Sequence, residues 1–179
     1  GSCGGWYLTE VLINFVNYTL LRRPNGFTII LTPRDRNKVE KNLLESGLDE
    51  KSFLVKSVAP IEVPKYLKMS DVAISFIRAC YSKQASSPTK IAEYLACGLP
   101  VVLNTGVGDL DELINTERVG VVIKDFDTRD FEKALDEIEL MFEDADLSER
   151  CKETAYRRFD LERVAGERYR RIYQRILQK

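Results

Sequence analysis

The chain has 179 residues, 44% apolar and 31% charged, with a formal net charge of −1. That is the make-up of one sizeable globular domain or one lobe of a larger protein, and it excludes a general electrostatic pull toward nucleic acid or anionic membrane. Cys3, Cys80, Cys97 and Cys151 are scattered without a C-x-x-C pair, and histidine is absent, which removes zinc spacing, a disulfide framework and the commonest general base.

Leu8 to Leu21 carries apolar residues at three- and four-residue steps, which predicts a helix. "FTIILT" (Phe27 to Thr32) follows as a strand, Arg34 to Ser46 as a helix closed by Gly47, and "FLVKSV" (Phe53 to Val58) as a second strand. Val63 to Met69 is a short helix, "DVAISFI" (Asp71 to Ile77) a third strand, and Pro88 to Cys97 a helix stopped by Gly98. "PVVLN" (Pro100 to Asn104), a short helix over Leu110 to Asn115 and "GVVI" (Gly120 to Ile123) complete the alternation. Everything after Arg129 is helical, ending in the long Leu161 to Leu177 segment. Continuously apolar strands between helices imply parallel strands buried on both faces. The expected class is therefore α/β, a Rossmann-like open parallel sheet with helices on both faces and a long C-terminal helix.

In such sheets ligands collect at the carboxyl ends of the strands. The loop from Arg78 to Ser87 leads there into a helix with Ser87 as expected N-cap and Pro88 at the first helical position. The amides of Thr89 and Lys90, the Lys90 charge and the hydroxyls of Ser86, Ser87 and Thr89 would then suit an anion. Glu93 follows Lys90 by three residues and Thr89 by four, so the three share a helix face. A carboxylate there can accept hydrogen bonds from a ribose diol; the plainer alternative is an exposed Lys90–Glu93 pair worth tenths of a kcal/mol.

"NTGVGDLDEL" (Asn104 to Leu113) could form a second ring of amides capped by Asp109, or an ordinary turn. Arg34, Arg36 and Lys38 could contact phosphate at a strand's carboxyl end, but a solvated helix start is the plainer reading. Glu143 to Asp146 reads as a solvated linker, Cys97 as core, and Trp6 and Tyr7 could line a site or cover the core, with core the default. No apolar run reaches the ~20 residues of a membrane span, and the cysteine usage suits a cytoplasmic protein.

The run "SPTKIAEYLACGLPVVLNTGVGDLDELI" resembles the signature region of retaining glycosyltransferases of the GT-B fold, particularly family 4. "SVAPIEVPKYLKMSDVAISFI" is similar to that family's base-binding segment, and "FDLERVAGERYRRIY" to its closing helix. The resemblance covers the whole chain as one donor-binding domain, residues 1–179, with the N-terminal acceptor lobe and the first strand expected outside it. It implies binding of a nucleoside-diphosphate sugar for glycosyl transfer, of the hexosyltransferase type and in glycan or surface polysaccharide synthesis.

By the same resemblance, Glu93 would bind the ribose, Ser86, Ser87, Thr89 and Lys90 the sugar and diphosphate, Val58 and Ala59 the base, and Gly4 and Gly5 the donor phosphate. It implies no metal and no separate cofactor, no nucleic-acid partner, catalytic groups on the missing lobe, and an inactive isolated chain. That lobe could also hold the protein at the inner membrane face. Two departures stand out: Ala85 occupies the position of a usual glutamate, and the usual Arg and Lys after the first strand have no match, a charge that Lys90, Lys83 or Arg78 would supply. An epimerase of the same fold would want a histidine, which is absent; a non-catalytic nucleotide- or partner-binding domain is the remaining alternative.

Overall fold

The computed structural model of the chain describes residues 5–177. Five strands, β1 (Thr28–Leu31), β2 (Phe53–Lys56), β3 (Ala73–Ser75), β4 (Val101–Asn104) and β5 (Gly120–Ile123), alternate with helices. All their pairings are parallel, but they form two sheets, β1-β2 and β3-β4-β5. The facing edges, from Thr28 to Leu31 and from Val72 to Phe76, line a cavity of about 440 Å³.

Period-2 alternation sends successive side chains to opposite faces of the three-stranded sheet. Val101 and Leu103 enter one core with Ile91 and Leu95 of α4 (Thr89–Ala96), Leu110 and Ile114 of α5 (Leu110–Glu117), and Cys151 and Ala155 of α7 (Leu147–Phe159). Val102, Val121 and Ile123 enter the other with Phe15 of α1 (Thr9–Arg22) and Phe131, Leu135 and Ile138 of α6 (Thr128–Met141). All four residues of β4 are buried, as a strand covered on both faces requires. The two-stranded sheet has one buried cluster, in which Ile30, Phe53 and Val55 meet Val39 and Leu43 of α2 (Arg36–Glu45) and Ile13 of α1.

α4 stops where expected. Gly98 adopts φ +81°, its N–H bonds the Leu95 carbonyl at 2.8 Å, and Leu99 N–H bonds that of Tyr94 at 3.1 Å, a Schellman closure. Its start differs from expectation: Pro88 itself is the N-cap, with extended backbone, and Thr89 is the first helical residue, so Ser87 does not cap. Proline fits that position because its ring fixes φ near −65° while ψ, here 113°, remains extended.

Three other expectations change, and a fourth gains detail. Asp109 precedes α5 without a side-chain cap bond; Asp111 instead accepts from the Thr105 hydroxyl and from Gly106 N–H at 3.3 Å. Glu143 to Asp146 is a solvated connection between α6 and α7, as expected, but an ordered one, since Asp144 accepts from Asp146 N–H at 2.9 Å and from the Arg150 guanidinium at 2.6 Å. Cys97 is half-buried, whereas Cys151 is fully buried, which pushes its thiol up to about 11. The C-terminal segment opens with a π-helical turn, Leu161–Gly166, held at its start by Asp160, and continues as α8 (Glu167–Leu177).

Candidate functional site

The carboxyl end of β1, Ile77 just beyond β3 and the start of α4 open on one cleft of about 620 Å³. Ser86, Ser87, Thr89, Lys90 and Glu93 all line it, because a helix starting at Thr89 carries Lys90 and Glu93 on one face of its first turns. β1 and the short α3 (Val63–Leu67) contribute Ile29, Leu31, Val63 and Leu67. The result is an apolar surface beside a polar helix end, the mix that a nucleotide's base and phosphates would each need.

Two contacts between loops fix this geometry. Beyond the last β3–β4 pair, the buried Asn104 bonds both backbone groups of Ile77: its Oδ1 accepts from Ile77 N–H at 2.7 Å and its Nδ2 donates to Ile77 O at 2.8 Å. Gly108 N–H then donates to Lys83 O at 2.9 Å. A Cβ on Gly108 would lie 2.1 Å from Ser86 O, and its φ is +57°, so glycine is what lets the second Gly-rich turn support the first. That turn therefore buttresses the site.

Trp6 is half-exposed and lines the cleft, while Tyr7 both lines the cleft and packs against the core of the three-stranded sheet. Arg78 N–H donates to Trp6 O at 2.8 Å and Leu8 N–H to Phe76 O at 3.1 Å, and Tyr7 forms an antiparallel bridge with Ile77. The pair is thereby pinned to the end of β3. Lys83 Nζ lies 4.8 Å from the Trp6 ring centroid and Lys90 Nζ 4.0 Å from that of Tyr7. Burial, assisted by the neighbouring Glu93 charge, pushes the Tyr94 phenol up to about 12, so it faces the cleft as a neutral hydroxyl.

The remaining expected residues are distributed differently. Val58 and Ala59 do not line the cleft; Ala59 N–H donates to the Glu62 carboxylate at 3.1 Å, and Val63 and Leu67 take the apolar role. Gly5 lies with Arg78 and Lys38 in an adjoining groove of about 330 Å³, to which Tyr7 also belongs. Arg36 bonds Glu40 at 2.9 Å, as a solvated helix start would. Gly4 lies outside the described residues. Sequence reasoning missed Asn104 and the Trp6–Lys83 and Tyr7–Lys90 pairs. The one local signal was an amide residue ending an otherwise apolar strand.

Among the described residues no group of three or more His, Cys, Asp or Glu is placed to hold a metal ion, and no helix is long and apolar enough to cross a membrane. The fold is similar to that of WaaG, a glycosyltransferase involved in lipopolysaccharide biosynthesis, with TM-score 0.68 and 17% identity over 87% of this chain and 40% of that one. It is likewise similar to S. aureus TarM in a complex with fondaparinux, α-GlcNAc-glycerol and UDP, with TM-score 0.71 and 14% identity over 95% of this chain and 34% of that one. AviGT4, a glycosyltransferase involved in avilamycin A biosynthesis, gives TM-score 0.62 and 17% identity over 92% of this chain and 47% of that one. The chain thus spans less than half the length of these structures. No curated protein sequence matches it significantly. Residues 21–158 match the family described as glycosyl transferases group 1. The chain belongs to that family, and its α/β architecture fits the C-terminal domain of a GT-B fold.

Proposed function

We propose that the cleft at the start of α4 holds the nucleoside diphosphate of a sugar donor, and that the chain is the donor-binding part of a glycosyltransferase. The observation that carries this reading is the convergence of Ser86, Ser87, Thr89, Lys90 and Glu93 on one cleft at the carboxyl ends of parallel strands. As the bond from the sugar's anomeric carbon to the diphosphate breaks, negative charge grows on the departing phosphate oxygens. The first-turn amides of α4 and the Lys90 ammonium are preorganised to meet that charge. Glu93 would accept from the ribose hydroxyls, while Ile29, Leu31, Val63 and Leu67 cover the base.

The reading needs no metal, because helix end and lysines take the charge. It assigns the acceptor and the facing catalytic groups to a second lobe, so the isolated chain would bind donor without turning it over. The strand order, β2-β1 then β3-β4-β5 across a cavity, is a familiar doubly wound order with its central strand left out; this supports the expectation of a further first strand. A hexose donor and a role in surface polysaccharide synthesis are the finer parts of the proposal.

Ala85 favours a second reading, a domain that holds nucleotide without transferring sugar. Both readings predict binding, and only the first predicts transfer once the whole protein is assayed with an acceptor. Amide-shift mapping with UDP, GDP and ADP tests the site itself. At least one should move the resonances of residues 86–93 while α6 stays still; shifts confined elsewhere, or none at millimolar ligand, would refute it.

A further inference from the structure

Resting on that donor-site reading, we infer that Trp6 and Tyr7 are positioning residues that hold Lys83 and Lys90 as a two-point clamp for the diphosphate. The two aromatics are consecutive, line the same cleft as both lysines and are tied by backbone bonds to the end of β3. Each ring carries one ammonium, Lys83 Nζ at 4.8 Å from the Trp6 centroid and Lys90 Nζ at 4.0 Å from the Tyr7 centroid. Both distances are inside the ~6 Å over which a ring's quadrupole attracts a cation. Lys83 makes no ion pair with a carboxylate among the described residues, and its ammonium lies over the Trp6 ring.

The physical consequence concerns entropy and direction. A lysine on a flexible four-carbon stem loses up to ~2 kcal/mol of rotamer freedom when it is fixed on an anion. A ring anchored to the sheet restricts that search before the ligand arrives. A face-on cation–π contact leaves the ammonium's remaining N–H groups directed away from the ring, so one charge can satisfy ring and phosphate together. Lys83 and Lys90 come from opposite ends of the loop that precedes α4, the first at the close of a 3-10 turn, Tyr81–Lys83, and the second inside the helix. In sequence the two lysines flank Ser86 and Ser87, and all four residues line the cleft.

The test is calorimetric titration with inorganic pyrophosphate and with UDP, GDP and ADP, on the unaltered protein and on Trp6→Phe, Trp6→Leu, Tyr7→Phe and Tyr7→Leu. Trp6→Leu is also measured in a Lys83→Gln background. Each leucine variant should weaken pyrophosphate and nucleoside diphosphate about two- to fivefold, the size of a partly exposed cation–π contact. The phenylalanine variants should stay within about twofold, and Trp6→Leu should have no further effect once Lys83 is glutamine. Unchanged or tighter binding in the leucine variants, equal losses for phenylalanine and leucine, or a full Trp6→Leu effect without Lys83 would each overturn the clamp while leaving the donor site standing. If the unaltered protein binds none of the four ligands, the donor-site reading falls and the clamp with it. Unchanged melting temperatures separate these effects from misfolding.

Discussion

The three-stranded sheet is covered on both faces, and every residue of β4 is buried; β1 buries only Ile30 and β2 only Phe53 and Val55, over a single cluster. The polar chemistry of the cleft sits on the first of these. α4, the Lys83–Ser86 loop and the Gly-rich turn after β4 are all braced by the doubly covered sheet, while the two-stranded sheet lends the cleft only apolar side chains, Ile29 and Leu31. Groups that must meet a developing charge need a fixed geometry, and an apolar surface against a base tolerates movement better.

The sharpest test of that contrast is a matched pair of cavities, since Leu95 and Leu43 are both fully buried. Leu95→Ala should cost about 4 kcal/mol in urea unfolding and abolish nucleotide binding. Leu43→Ala should raise hydrogen exchange chiefly in α2, β1 and β2, leaving the amides of α4 protected. Equal loss of protection in both sheets would show that the two behave as one cooperative unit.

Gly108→Ala comes next, at about 3 kcal/mol for its left-handed backbone and the clash with Ser86 O. It should also displace the loop before α4, seen as shifted amides from Lys83 to Lys90. Asn104→Leu should cost about 2 kcal/mol by leaving the Ile77 backbone groups unpaired; a loss below about 0.5 kcal/mol would remove Asn104 from the site's support.

The smallest effect concerns Glu117 at the end of α5. Its side chain is only 10% exposed, and although burial alone would raise its carboxyl, Arg157 and Arg158 hold it below its ordinary value near 4.5. A depressed folded value means that its stabilisation is fully present above the unfolded value and is lost as pH falls through the folded one. Chemical unfolding from pH 7 to 3 should therefore lose about 1 kcal/mol more below pH 4.5 in the unaltered protein than in Glu117→Gln. Parallel pH profiles would exclude these ion pairs as an anchor of α7 on α5.

The element order was legible because each segment announces itself locally: apolar strand runs, Gly98 after α4, and Glu93 one turn from a polar helix start. The helix start was one residue off because Ser87 and Pro88 both suit a cap, and only the extended backbone of Pro88 separates them. Asp111 was chosen over Asp109 by where the Gly106 turn places its amide, a matter of three-dimensional path. The division into two sheets was not visible either, since strand pairing depends on partners far apart in sequence. For Trp6 and Tyr7 hydrophobicity alone could not separate core from site, and Tyr7 serves both; their ammonium partners lie about eighty residues away.

Calorimetric titration of the unaltered chain and Glu93→Ala with UDP, GDP and ADP tests the central claim most directly. One nucleoside diphosphate should bind, and Glu93→Ala should weaken it by ~1 kcal/mol or more, the worth of a lost charged hydrogen-bond acceptor. Saturable binding that is unchanged in Glu93→Ala would contradict the ribose assignment, and no binding of any of the three at millimolar concentration would contradict the donor site as a whole.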